Sequence, residues 1–161
     1  MTSRPTDDAA PVWVVIVGAG SGTRFGGAKQ YAPLAGRRVL DWSVDVARSV
    51  ADGVVLVVPP DAADEVEPAV DAVVPGGATR SESVRAGLAV VPGEAEVVLV
   101  HDAARPLASH ALFRAVVDAV LAGADAVVPV VPVVDTVRPY AGPTAATGTP
   151  VPTFVPAIAT V

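Results

Sequence analysis

Residues 18–29 read Gly18-Ala19-Gly20-Ser21-Gly22-Thr23-Arg24-Phe25-Gly26-Gly27-Ala28-Lys29, a glycine-rich run that carries two cations. Glycines let a backbone approach a phosphate chain closely, and successive exposed N–H groups form an anion nest. Arg24 and Lys29 add full charges, and Lys29 is the one lysine in the chain. The spacing is not a dinucleotide fingerprint, which would need glycine at Thr23, nor a Walker A loop, since no Gly-Lys-Ser/Thr occurs. A plain glycine turn would account for the glycines alone. The position directly after an apolar run at 12–17, where phosphate-binding loops leave strands, favours phosphate binding by this loop, with Arg24 and Lys29 as its cations.

Three further segments carry chemistry-bearing residues after apolar runs. Pro75-Gly76-Gly77-Ala78-Thr79-Arg80-Ser81-Glu82-Ser83 is a second glycine turn, and Thr79 with Glu82 three residues on is a capping-box signature that starts a helix there. Its simplest reading is a helix start; amides at that N-terminus, Arg80 and the Ser83 hydroxyl can also bond a nucleobase or phosphate. In His101-Asp102-Ala103-Ala104-Arg105-Pro106 an acid among small residues suits a Mg²⁺ or ribose contact, or equally a capped turn with a surface ion pair. Asp135-Thr136-Val137-Arg138 offers a hydroxyl and a guanidinium to a phosphorylated acceptor, against the alternative of an exposed strand end. His101 has no second ligand at metal spacing and reads as structural, and His110 as helix surface. No Gly-x-Ser-x-Gly elbow supports a hydrolase.

These loops need a scaffold that brings strand ends together. Apolar runs at 12–17, 53–58, 72–74, 97–100 and 126–131 read as strands buried on both faces, with helical spacing at 39–51, 61–71 (interrupted by Pro68), 81–91 and 109–122. Strands alternating with helices predict a three-layer α/β/α sandwich with a mostly parallel sheet, whose ligands lie beyond the carboxyl ends of the strands. Residues 1–11 are polar and read as a flexible N-terminus, 12–138 as one domain, and 139–161 as an irregular Pro/Thr/Ala-rich tail.

Composition narrows the function classes. The chain has 161 residues, 52% hydrophobic and 17% charged, enough for one core. The absence of cysteine removes disulfides, thiolate metal sites and thiol nucleophiles. A net charge of −6 disfavours a nucleic-acid surface, so an anionic ligand must meet a local positive site. No apolar run approaches the roughly 20 residues of a membrane span, and Asp7 and Asp8 stand where a signal peptide wants basic residues, so a cytoplasmic protein is expected.

Taken together, GAGSGTRFGGAKQY, GGATRSESVRAGL, HDAARP and DTVR, in this order and spacing over residues 12–138, resemble the 2-C-methyl-D-erythritol 4-phosphate cytidylyltransferases of the non-mevalonate isoprenoid pathway. The resemblance implies a Rossmann-like nucleotidyltransferase fold and Mg²⁺-dependent transfer of CMP from CTP to a phosphorylated sugar alcohol. It implies that Arg24 and Lys29 stabilise the reacting phosphate, and that Ala19, Gly20 and Gly22 line the triphosphate. Gly77, Arg80 and Ser83 would hold the cytidine, Asp102 and Ala103 the ribose and metal region, and Thr136 the acceptor. It also implies a homodimer, through an arm beginning where this chain turns Pro- and Thr-rich. The chain departs from the family at Ala28, usually a proline, and beyond Arg138, where the Thr-Pro-Gln segment, an acceptor-binding arginine and a late lysine do not occur. It is therefore expected to be short at its C-terminus relative to the family, with its nucleotide half complete. Transfer to ribitol 5-phosphate, which is set apart by the fourth residue of HDAARP, and a catalytically silent CTP-binding module are the alternative readings.

Overall fold

The structure, a computed structural model, describes residues 10–20, 22, 27–64, 67 and 69–130. Arg24, Thr136 and the tail at 139–161 lie outside the described residues. Four parallel strands form one sheet in the order β5-β4-β1-β6, with β1 at Val12–Val17, β4 at Gly53–Val58, β5 at Ala72–Pro75 and β6 at Val97–Asp102. The register sets Val15 between Val55 of β4 and Val100 of β6. Every residue of β4 is buried, as its unbroken Val/Leu run requires for a strand covered on both faces.

Side-chain alternation along these strands builds two cores. On one face Val14, Ile16, Leu56 and Leu99 meet Leu40, Val44 and Ala47 of α1 (Val39–Arg48) and Phe113 and Val117 of α3 (His110–Leu121). The spacing of Leu40, Val44 and Ala47 lays one stripe along α1, and the Asp41 carboxylate accepts from the Arg38 N–H at its start (2.8 Å). Phe113 is wholly inaccessible, a burial worth about 1.5–3 kcal/mol. On the other face Val15, Val55 and Val57 lie under α2 (Arg80–Leu88), where Gly87 lets the helix come down onto Val15 and Val57. The expected three layers are present, with α1 and α3 on one side and α2 on the other.

Three segments differ from the sequence reading. Residues 124–130 form no strand, and Val130 is 83% exposed; Pro129, which cannot donate to a ladder, interrupts the run. The helix expected at 61–71 is, among the described residues, only a 3₁₀ turn at Pro60–Ala62, set by Pro60 at its first position. A hairpin not anticipated from the sequence joins β2 (Pro33–Leu34) to β3 (Arg37–Arg38). Its two-residue turn holds Ala35 at φ 50° and Gly36 at φ 82°, the left-handed pair that such turns require, with alanine where asparagine or glycine is usual.

Candidate active site

The chain runs from β1 outward to β4 and β5, then returns past β1 to add β6 on its other side. Between β1 and β6 the loops at the carboxyl ends therefore diverge, which is where open α/β sheets bind ligands. A cleft of about 690 Å³ lies there, lined by residues 17–20, Gly22, Lys29, Gln30, 77–80, Ser83 and 102–105. It brings together Ala19, Gly20, Gly22, Lys29, Gly77, Arg80, Ser83, Asp102 and Ala103, every described member of the predicted set.

The first loop is shaped by its glycines and by one buried amide. Gly22 has φ +61°, and a Cβ there would run into the Gly27 carbonyl, whose own N–H bonds the Gly22 carbonyl at 3.3 Å. Only glycine closes the loop in this way. Gln30, 4% exposed, donates its amide to the carbonyls of Gly18 (2.7 Å) and Gly20 (3.2 Å). Because the C=O and N–H of a trans peptide point in opposite directions, holding the Gly18 carbonyl turns the Ala19 N–H away from Gln30. Sequence reasoning missed Gln30, whose only signal is its place directly after Lys29. Lys29 opens the 3₁₀ turn Lys29–Tyr31 and stands where the main cleft meets a second hollow of about 240 Å³, lined also by Pro33, Leu34, Ala104 and Pro106.

The second loop carries the expected capping box. The Thr79 hydroxyl accepts from the Glu82 N–H (3.2 Å), and the Glu82 carboxylate accepts from the Thr79 N–H (2.9 Å). This satisfies two otherwise orphaned donors and fixes the start of α2 beside the cleft. The buried Ser83 hydroxyl donates to the Thr79 carbonyl (3.0 Å) and accepts from the Gly77 N–H (3.2 Å). It thus holds the Gly77 turn in place and leaves a single lone pair for a ligand.

At the end of β6, Asp102 faces two guanidinium groups. Its Oδ1 accepts from Arg80 Nη2 (2.8 Å) and Nε (3.2 Å), and its Oδ2 pairs with Arg105 Nε (3.1 Å). Among the described residues, the charged side chains lining the cleft are three cations and one carboxylate, a locally positive site in a chain of net charge −6. Ala103 lines the cleft and is buried, with its N–H on the Val17 carbonyl (3.0 Å). Among the described residues no three His, Asp or Glu side chains cluster as a metal cage, and no helix is long and apolar enough to cross a membrane.

The chain matches the family described as 2-C-methyl-D-erythritol 4-phosphate cytidylyltransferase over residues 12–151. A protein of that name from Streptomyces coelicolor is 48% identical over 152 residues, covering 86% of this chain and 56% of the relative. This chain thus spans little more than half the length of that curated relative. The crystal structure of 2-C-methyl-D-erythritol 4-phosphate cytidylyltransferase from Thermus thermophilus superposes with a TM-score of 0.67 at 35% identity, covering 80% of this chain and 58% of that one. The structure of Rv0371c from Mycobacterium tuberculosis in complex with manganese gives a TM-score of 0.57 at 26% identity, covering 70% and 61%. The sheet and its helices therefore have the α/β nucleotidyltransferase fold.

Proposed function

Because the chain belongs to the 2-C-methyl-D-erythritol 4-phosphate cytidylyltransferase family, we propose that it transfers CMP from CTP to 2-C-methyl-D-erythritol 4-phosphate and releases pyrophosphate. The observation that carries this reading is the convergence of the glycine loop, Lys29, Arg80 and Asp102 on one cleft at the switch point of the sheet.

In the proposed reaction a phosphate oxygen of the acceptor attacks the α-phosphorus of CTP in line. The new P–O bond forms as the bond to the β-phosphate oxygen breaks, and its electron pair leaves on pyrophosphate. Such a transfer needs positioning and charge stabilisation more than covalent chemistry from the protein. Lys29 serves both hollows, so its ammonium suits the α-phosphate, which must face triphosphate and acceptor at once. The resemblance adds Arg24 as its partner. The turn at Gly77, Arg80 and Ser83 receives the cytidine, the amides around Ala19 and Gly20 the triphosphate, and Thr136 the acceptor.

The residues at the end of β6 fit a divalent cation of one kind. Asp102 is a single carboxylate, so it suits Mg²⁺ held by one protein oxygen with triphosphate and water as its other ligands, rather than a protein cage. The manganese complex of the Rv0371c relative is consistent with that preference for a divalent ion. When bound, the ion would neutralise triphosphate charge as pyrophosphate departs. Asp102 would have to exchange a guanidinium contact for it, and the anionic triphosphate is the natural new partner for Arg80 and Arg105. The proposed setting is the cytoplasm, where CTP is available.

The test is pyrophosphate release with CTP, Mg²⁺ and 2-C-methyl-D-erythritol 4-phosphate, run beside Lys29→Ala. The reading expects release that falls on the order of a hundredfold or more in the variant. Faster release with ribitol 5-phosphate, or none with either acceptor, would overturn it.

A further inference from the structure

Two buried polar side chains have no part in the reaction as proposed. His101, on β6, is wholly inaccessible, and so is Ser43, in the middle of α1. The Ser43 hydroxyl donates to the Ala103 carbonyl (3.1 Å), and His101 Nε2 lies 3.3 Å from Ser43 Oγ. A hydroxyl has one proton. With it committed to Ala103, the Ser43 oxygen accepts from His101 when Nε2 carries a proton. Phe113 of α3 meets the same ring edge-on, with centroids 5.0 Å apart.

A core position of this kind is filled more cheaply by an apolar side chain, because a buried imidazole and hydroxyl must both find partners. What the pair adds is a hold on Ala103. That residue's N–H is already tied to Val17 at the end of β1, so Ser43 secures its other backbone group. Ala103 directly follows Asp102, whose side chain lies on the opposite face of β6 from His101 by strand alternation and opens into the cleft. The next turn is closed by the Arg105 N–H on the Asp102 carbonyl (3.0 Å).

We infer that His101 and Ser43 are positioning residues, which clamp the Ala103 carbonyl from beneath the sheet and so fix the Asp102 carboxylate and the 102–105 turn in the cleft. The activity arm of the test rests on the function proposed above; a second arm does not. Wild type is compared with His101→Leu and Ser43→Ala, which remove the clamp, and with His101→Gln, whose amide supplies an N–H near the imidazole Nε2 position. Each is assayed at a temperature where circular dichroism shows it folded. Loss of kcat by tenfold or more in the Leu and Ala variants is expected, with KM for CTP changed less than threefold and most of the rate recovered in the Gln variant. Amide exchange at Arg105 should quicken tenfold or more in the Leu and Ala variants while the β1 and β4 amides stay protected.

A lower melting temperature with kcat within twofold of wild type, or no recovery in His101→Gln, would overturn the inference. Arg105 exchange equal to wild type in the Leu and Ala variants would also overturn it. If the wild type transfers nothing from CTP, the proposed function fails, and the exchange arm alone decides the clamp.

Discussion

Arg80, the first residue of α2, and Asp102, the last of β6, are joined across the cleft by contacts of 2.8 and 3.2 Å from Nη2 and Nε to one carboxylate oxygen. The Arg80 side chain is 49% exposed, so the pair is worth at most about 1 kcal/mol to the fold. Arg80→Ala is expected to leave thermal stability within about 1 kcal/mol of wild type while weakening CTP binding by roughly tenfold, the loss of one charge-assisted contact. Calorimetric titration beside a melting curve checks both, and equal CTP affinity would remove Arg80 from the site.

Gln30 holds the carbonyls of Gly18 and Gly20 with one side-chain amide. Gln30→Ala leaves the Gly18 and Gly20 carbonyls without their amide partner, at a cost of about 1–3 kcal/mol. Gln30→Glu should do worse at neutral pH, because a carboxylate there faces two carbonyl oxygens. Chemical denaturation measures the stability change, and a Glu variant as stable as wild type would contradict the geometry.

Gly87 sets helix propensity against packing. Alanine is favoured over glycine in a helix by about 1 kcal/mol, but a Cβ at Gly87 would run into Val15 and stand 2.9 Å from Val57. Overpacking of this kind costs about 1–3 kcal/mol, so Gly87→Ala is expected to destabilise the protein. A higher melting temperature in the variant would show that α2 sits farther from the sheet.

The sequence was most informative where one physical demand acts alone. Short apolar runs suit doubly buried strands, and β1, β4 and β6 form on them. The Thr79–Glu82 box marks its helix because both partners lie three residues apart. The loop residues could be placed together because parallel strands deliver their ends to one edge. Gln30 was not legible, since its partners lie ten and twelve residues upstream and no periodicity states which way it turns. The hairpin at 33–38 was hidden by two-residue strands and an Ala-Gly turn without the usual asparagine. At 126–130 hydrophobicity was a misleading guide, because Pro129 denies the run a ladder donor.

Asp41 gives a pH signature away from the site. The Arg38 guanidinium, bonded to it at 2.7 and 3.0 Å, holds its carboxyl below the usual carboxylate value, and Arg38 in turn is raised chiefly by Glu67 and then by Asp41. A carboxylate with a depressed folded pKa stabilises the fold above its unfolded value of about 3.9 and loses that contribution as pH falls through the lower folded value. Asp41→Asn is therefore expected to be less stable than wild type at pH 7, with the gap closing below pH about 4. Melting curves from pH 7 to pH 2 test this, and a constant gap would refute the assignment.

Lys29 offers the most direct test of the central claim, that the β1–β6 cleft holds the triphosphate. It is the one lysine in the chain, so a single ε-amine reports on the site. Acylation of Lys29, followed by peptide mass spectrometry with and without CTP and Mg²⁺, is predicted to slow at least tenfold at saturating CTP and to be unaffected by free cytidine. Equal labelling of Lys29 in the presence and absence of CTP would contradict the account.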